Sequence, residues 1–125
     1  MKRAYTGVGV TASGPYSHAV ESDGFIFFSG QTAMNGELPS LKKESISKQV
    51  ELVFEHLEAV MTASQVSFSD VVKVNVYLTS MAYFEEMNHI YQEKFKDSFP
   101  ARTCVAVKEL PLEADVEIEM IARRK

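Results

Sequence analysis

A single cysteine, Cys104, among 125 residues allows no internal disulfide, in keeping with a reducing compartment. Neither sign of charge dominates. Thirteen Lys and Arg against 17 Asp and Glu give a formal net charge of -4, with the two signs interleaved along the chain. This argues against a nucleic-acid or anionic-membrane partner, which would call for a basic patch. The apolar runs are far too short to span a bilayer, and the start Met1-Lys2-Arg3-Ala4-Tyr5 lacks the apolar core of a signal peptide, so a cytoplasmic location is expected. No P-loop, dinucleotide fingerprint or Gly-x-Ser-x-Gly occurs, which leaves phosphate-cofactor and serine-hydrolase chemistry without support. His18, His56 and His89 lie far apart with no metal-ligand spacing, and the latter two fall on predicted helices as expected surface residues. Tandem repeats and low-complexity tracts are also missing.

What is present is the composition of an ordinary globular chain, 46% hydrophobic and 24% charged, long enough for one domain over 1–125 with its own core. From Met1 to Glu21 the chain is rich in Gly, Ser and Thr, with Gly14-Pro15 marking a turn that places Tyr16 at the mouth of the next segment. Ser22-Asp23-Gly24 is a hairpin-type turn into the β-rich run Phe25-Ile26-Phe27-Phe28, which ends in Ser29-Gly30-Gln31. A glycine at the end of a strand suggests that a backbone or ligand approaches Gly30 closely. Residues 32–43, with Asn35-Gly36 and Pro39, read as a loop.

From about Glu44 to Ser64, Ile46, Val50, Val53, Leu57, Val60 and Met61 recur at helical spacing and predict a long amphipathic helix. Residues 71–78 alternate as a strand, with Val72, Val74, Val76 and Leu78 expected on one face. Thr79-Ser80 can cap a second helix carrying Tyr83, Phe84, Met87, Ile90, Tyr91, Lys94 and Phe95, which Pro100 is expected to stop. Two strands come next, around residues 101–107 and 116–122. This order predicts an α+β domain, a mixed sheet with both helices on one face. The other face, built of equally apolar strands, then calls for a cover, and self-association with clefts between subunits is the economical one.

The last two strands carry the chemistry. By strand parity Arg102 and Cys104 share one face, and Glu117 and Glu119 share another. Arg102 offers a planar fork that matches a carboxylate, or else a structural ion pair with Glu117 or Glu119. Glu117 can orient or deprotonate a water if partly withdrawn from solvent, with the salt bridge as its bland alternative and Glu119 as its rival. Cys104 has no activating histidine, asparagine or Cys-x-x-Cys partner and reads as a pocket wall. Tyr16 is either a ligand-facing hydroxyl or an ordinary turn aromatic.

Gly14-Pro15-Tyr16-Ser17, Ser29-Gly30-Gln31, Asp70-Val71-Val72-Lys73, Asn88 with Tyr91, and Pro100-Ala101-Arg102-Thr103-Cys104-Val105 through Leu110-Pro111 to Val116-Glu117-Ile118-Glu119 resemble the RidA family of enamine/imine deaminases. The resemblance covers nearly the whole chain in order. It implies a chorismate-mutase-like fold assembling as a homotrimeric barrel, with sites in the clefts between subunits. It also implies cofactor-free hydrolysis of 2-imino and 2-enamino acids, which escape from pyridoxal-phosphate enzymes, to 2-keto acids and ammonia. On the family's pattern Arg102 clamps the substrate carboxylate and Glu117 positions water, while Tyr16, Ser29, Gly30, Asn88 and Cys104 line the pocket, without metal. The chain departs from the family at His18, commonly glutamine, and at Thr32-Ala33, where proline is common. Both bear on substrate preference. A non-enzymatic binder of keto or amino acids, an endoribonuclease and a chaperone-like holder are the rival expectations.

Overall fold

The computed structural model describes residues 2–12, 14–34 and 44–125. Among them, six strands and two helices follow in the order β1 (Arg3–Tyr5), β2 (Ala19–Ser22), β3 (Phe25–Gln31), α1 (Ile46–Ser64), β4 (Val71–Leu78), α2 (Phe84–Phe95), β5 (Ala101–Ala106) and β6 (Val116–Arg123). The strands form one mixed sheet in the spatial order β1-β2-β3-β6-β4-β5. Neighbours run antiparallel except β4 and β5, which α2 joins as a parallel crossover. The expected α+β architecture is therefore present. The last two strands, β5 and β6, are not paired with each other, because β4 lies between them.

The hairpin from β2 to β3 closes on Asp23 and Gly24, with φ of 54° and 79°. Two consecutive left-handed residues match the twist of the strands they join, and an Asp-Gly pair adopts them at little cost. The glycine-rich stretch before it holds β1 and β2, which carry too little apolar alternation to announce themselves. A polar clasp secures them instead. Arg124 donates to both oxygens of Glu21 at 3.1 and 2.8 Å and to the Ser64 carbonyl at 2.8 Å, and Tyr5 Oη donates to Glu21 at 2.7 Å.

Helix α1 begins where Ser45 Oγ accepts from the Lys48 N–H at 3.2 Å, and it ends at Gln65, whose φ of 59° terminates the helix. Val50, Val53, Leu57, Val60 and Met61 of the expected stripe are buried, and Phe54 joins them. Each such side chain contributes about 1.5–3 kcal/mol by leaving water. With Met87, Ile90, Tyr91 and Phe95 of α2 they form one core against Ile26, Phe28, Val74, Val76, Leu78, Val116, Ile118, Met120 and Ala122 of the sheet. Helix α2 ends at Phe95, where Lys96 takes a positive φ of 59° and its N–H donates to the Gln92 carbonyl, before Pro100 can act as its stop. In β4 the inward residue is Val71 rather than Val72. A register shift between Val71 and Lys73 turns Val72 outward, and alternation resumes beyond it.

The second sheet face exposes the apolar side chains of Phe27, Val72 and Val105, at 47%, 45% and 41%. Of the expected loop over 32–43, residues 35–43 lie outside the described residues. No helix among the described residues is long and apolar enough to cross a membrane.

Candidate active site

Arg102 sits on the edge strand β5 opposite Val74, so its side chain shares the helix-bearing face of the sheet. Its Nη1 donates to Asn88 Oδ1 of α2 at 2.6 Å, and its Cζ lies 4.7 Å from the Tyr91 ring centre and 5.6 Å from that of Phe84. A hydrogen bond and two aromatic faces fix the plane of the guanidinium without neutralising it. No carboxylate among the described residues pairs with it. Arg102 and Asn88 border a cavity of about 360 Å³ with Tyr91, Gln92, Phe99 and Pro100. Tyr91 is buried, its hydroxyl has no hydrogen-bond partner among the described residues, and burial pushes its pKa up to about 12.

Glu117 occupies the opposite face. Its cross-strand partner is Tyr77, whereas the inward residues Val116 and Ile118 on either side of it are fully buried. Arg102 and Glu117 of one chain therefore point away from each other across the sheet, which removes the ion pair between them as an explanation of either. The Glu117 carboxyl lies flat against Gly30: a Cβ at that glycine would stand 2.9 Å from Glu117 Cδ. The close approach expected at Gly30 is thus made by a side chain. Burial, and secondly the Glu119 carboxylate, push the Glu117 carboxyl above the ordinary range. Glu119 itself is held by Asn75 Nδ2 at 3.0 Å and Tyr77 Oη at 2.5 Å. The second of these bonds, helped by burial, pushes the Tyr77 hydroxyl up to about 12.

Glu117, Gly30, Ser29 and Tyr16 line a second cleft of about 340 Å³. Ser29 anchors the Tyr16 segment, since its Oγ donates to the Ser17 carbonyl at 2.6 Å and its N–H to the His18 carbonyl at 2.9 Å. His18 is buried, and its Nδ1 accepts the Gly7 N–H at 3.0 Å, so it ties the N-terminal segment to the same wall. His56 also differs from a plain surface residue, with Nδ1 2.9 Å from the Thr32 carbonyl. Six of the seven expected site residues accordingly fall in two groups, Tyr16, Ser29, Gly30 and Glu117 in one cleft and Asn88 with Arg102 in the other. Cys104 borders neither. It packs half-buried against the core, and burial raises its thiol despite the lowering effect of Arg102. Met34 and Leu112 also line the Glu117 cleft and were not singled out by sequence. The Leu110-Pro111 turn ahead of β6 was the available signal for Leu112. No group of three His, Cys, Asp or Glu among the described residues could hold a metal ion.

A family model described as endoribonuclease L-PSP matches residues 6–124. The chain belongs to this family, the YjgF/RidA family. Among its members, a RutC family protein of Aquifex aeolicus is 45% identical over 111 residues, covering 87% of this chain and 88% of the relative. A 2-iminobutanoate/2-iminopropanoate deaminase of Dermatophagoides farinae is 40% identical over 108 residues, covering 86% and 84%. The crystal structure of E. coli TdcF with bound serine superposes with a TM-score of 0.83 at 32% identity, covering 93% of each chain. The YjgF/RidA fold and the resemblance found in the sequence motifs are thereby established, and serine in TdcF shows that one relative binds a small amino acid.

Proposed function

We propose that this protein is a cofactor-independent enamine/imine deaminase that hydrolyses 2-iminobutanoate, 2-iminopropanoate and their enamine tautomers to 2-keto acids and ammonia. The observation that carries this reading is Arg102, tethered to Asn88 and stacked on Tyr91, with no carboxylate partner among the described residues. A charged fork held rigid and left unneutralised suits an incoming carboxylate. Glu117 suits the second task, because burial favours its taking a proton at a working pH. In this scheme water adds to C2 of the protonated imine and gives up a proton to Glu117. The resulting carbinolamine then expels ammonia as the C=O bond forms. An imine is already electrophilic, so holding the substrate and aiming one water supply most of what is needed.

Because Arg102 and Glu117 face opposite ways in one chain, the proposal includes a homotrimer in which the Arg102 side of one subunit meets the Glu117 cleft of the next. The exposed Phe27, Val72 and Val105 supply the apolar surface for such an assembly. A cytoplasmic setting, beside the pyridoxal-phosphate enzymes that release these imines, belongs to the same reading. Serine bound in TdcF makes plain small-molecule binding the competing reading. An RNA substrate is disfavoured, since among the described residues Arg102 is the one basic side chain lining the two clefts.

The test is a coupled assay in which threonine dehydratase supplies the imine and keto-acid release is followed. The wild-type protein should accelerate release, and Arg102→Ala should lower that acceleration about 100-fold, the scale of a lost charge-assisted pair. An unaccelerated reaction with saturable keto-acid binding would establish the binding reading instead.

A further inference from the structure

The turn between β5 and β6 places two consecutive non-glycine residues, Leu112 and Glu113, in the left-handed region, with φ of 58° and 57°. L-residues with a side chain avoid this conformation, and when it persists beside a cavity the surroundings are holding it there. Here Pro111 fixes the entry to the turn, and the Ala114 N–H donates back to the Pro111 carbonyl at 3.2 Å. The outcome is that half-buried Leu112 lines the cleft together with Pro111 and Met34, while Glu117 and Glu119 also line it. One cleft thus combines an apolar wall with two carboxyl groups and, among the described residues, no basic side chain.

We propose that Leu112 is a specificity-determining residue, the end wall that limits the length of the substrate's side chain. The inference rests on the deaminase reading and deepens it. A ligand whose C2 lies beside Glu117, with its carboxylate toward Arg102 of a neighbouring subunit, has its side chain left to contact Leu112 and Met34. An aliphatic chain of one or two carbons fits against such a wall, and longer ones meet the Leu112 methyl groups. Acidic chains are turned away by Glu117 and Glu119. The strained turn serves this role because a leucine in the ordinary right-handed conformation would direct its side chain elsewhere.

The test compares kcat/KM for the imines of 2-aminobutyrate and norleucine, generated with an amino-acid oxidase, in the wild type, Leu112→Ala and Leu112→Met. Removing the wall should raise the long-to-short ratio about tenfold in Leu112→Ala, the scale on which a hydrophobic pocket discriminates methylene groups. Leu112→Met, which conserves volume, should keep the wild-type ratio. A fall of both rates together in Leu112→Ala, leaving the ratio unchanged, would show a merely structural role and overturn the proposal while sparing the deaminase reading. Calorimetric binding of 2-ketobutyrate and 2-ketohexanoate provides the same ratio independently of turnover. A tenfold shift in binding without hydrolysis would sink the deaminase reading and leave the role of Leu112 standing. An unchanged binding ratio would overturn it.

Discussion

Burial and the Glu119 carboxylate both hold the Glu117 carboxyl above its ordinary value, and this has opposite consequences for activity and for stability. A base must be ionised to accept a proton, so turnover should rise with pH through the raised value. Folding runs the other way. Between the unfolded value near 4.5 and the raised folded one, the native chain binds more protons than the unfolded chain, so Glu117 lowers stability as pH climbs through that window. Glu117→Gln, which cannot titrate, should therefore equal or exceed the wild type in urea midpoint at neutral pH. The difference should vanish below pH 4.5, while deamination falls and keto-acid binding persists. A variant less stable at neutral pH would mean that the carboxylate is a structural group. Glu21 is the contrasting case: hydrogen bonds from Arg124 and Tyr5 hold it at about 2, so its contribution is present above 4.5 and lost as pH falls toward 2. Neither shift follows from residue type alone. The first depends on Gly30 letting Glu117 lie against the sheet, the second on Arg124 lying 103 residues from its partner.

Helix α1 shows both what a sequence pattern reveals and what it leaves out. Its apolar spacing locates the buried stripe correctly, but Gln49 is fully buried in that stripe, and polarity would place it outside. Contacts across the fold account for it. Gln49 Nε2 donates to the Glu44 carbonyl at 3.0 Å and to Asp115 Oδ2 at 3.1 Å, and Oε1 accepts the Asp115 N–H at 3.0 Å, binding the start of α1 to the entry of β6. Gln49→Leu keeps the volume and strands the Asp115 N–H, so chemical denaturation should show a loss of about 2 kcal/mol. A neutral result would mean that water replaces the amide. The same distinction runs through the sheet. Parity in β5 and β6 was legible because it is local, and it paired Arg102 with Cys104 and Glu117 with Glu119. The insertion of β4 between those strands, the bulge at Val72 and the opposition of the two charged faces were not, because they depend on pairing between segments distant in the chain.

At the scale of the whole molecule, one chain carries two partial clefts, and the proposed chemistry needs both. If neighbouring subunits complete each other, the Arg102 and Glu117 of a working site belong to different chains, and two inactive variants can rescue one another. Neither Arg102→Ala nor Glu117→Gln alone should support full turnover. Co-expressed and purified together under separate affinity tags, they should form mixed trimers. In these, about a quarter of the sites pair an intact arginine from one variant with an intact glutamate from the other, as random assembly of a cyclic oligomer requires. Activity should then recover to about a quarter of the wild-type value, and it should disappear if the variants are merely combined after each has formed its own stable trimer. A site contained within one chain predicts no recovery under either condition, because every Arg102→Ala chain lacks the clamp and every Glu117→Gln chain lacks the base. Size-exclusion chromatography with light scattering separates this outcome from a failure to assemble. A monomeric wild type would leave Phe27, Val72 and Val105 uncovered and would remove the basis for complementation altogether.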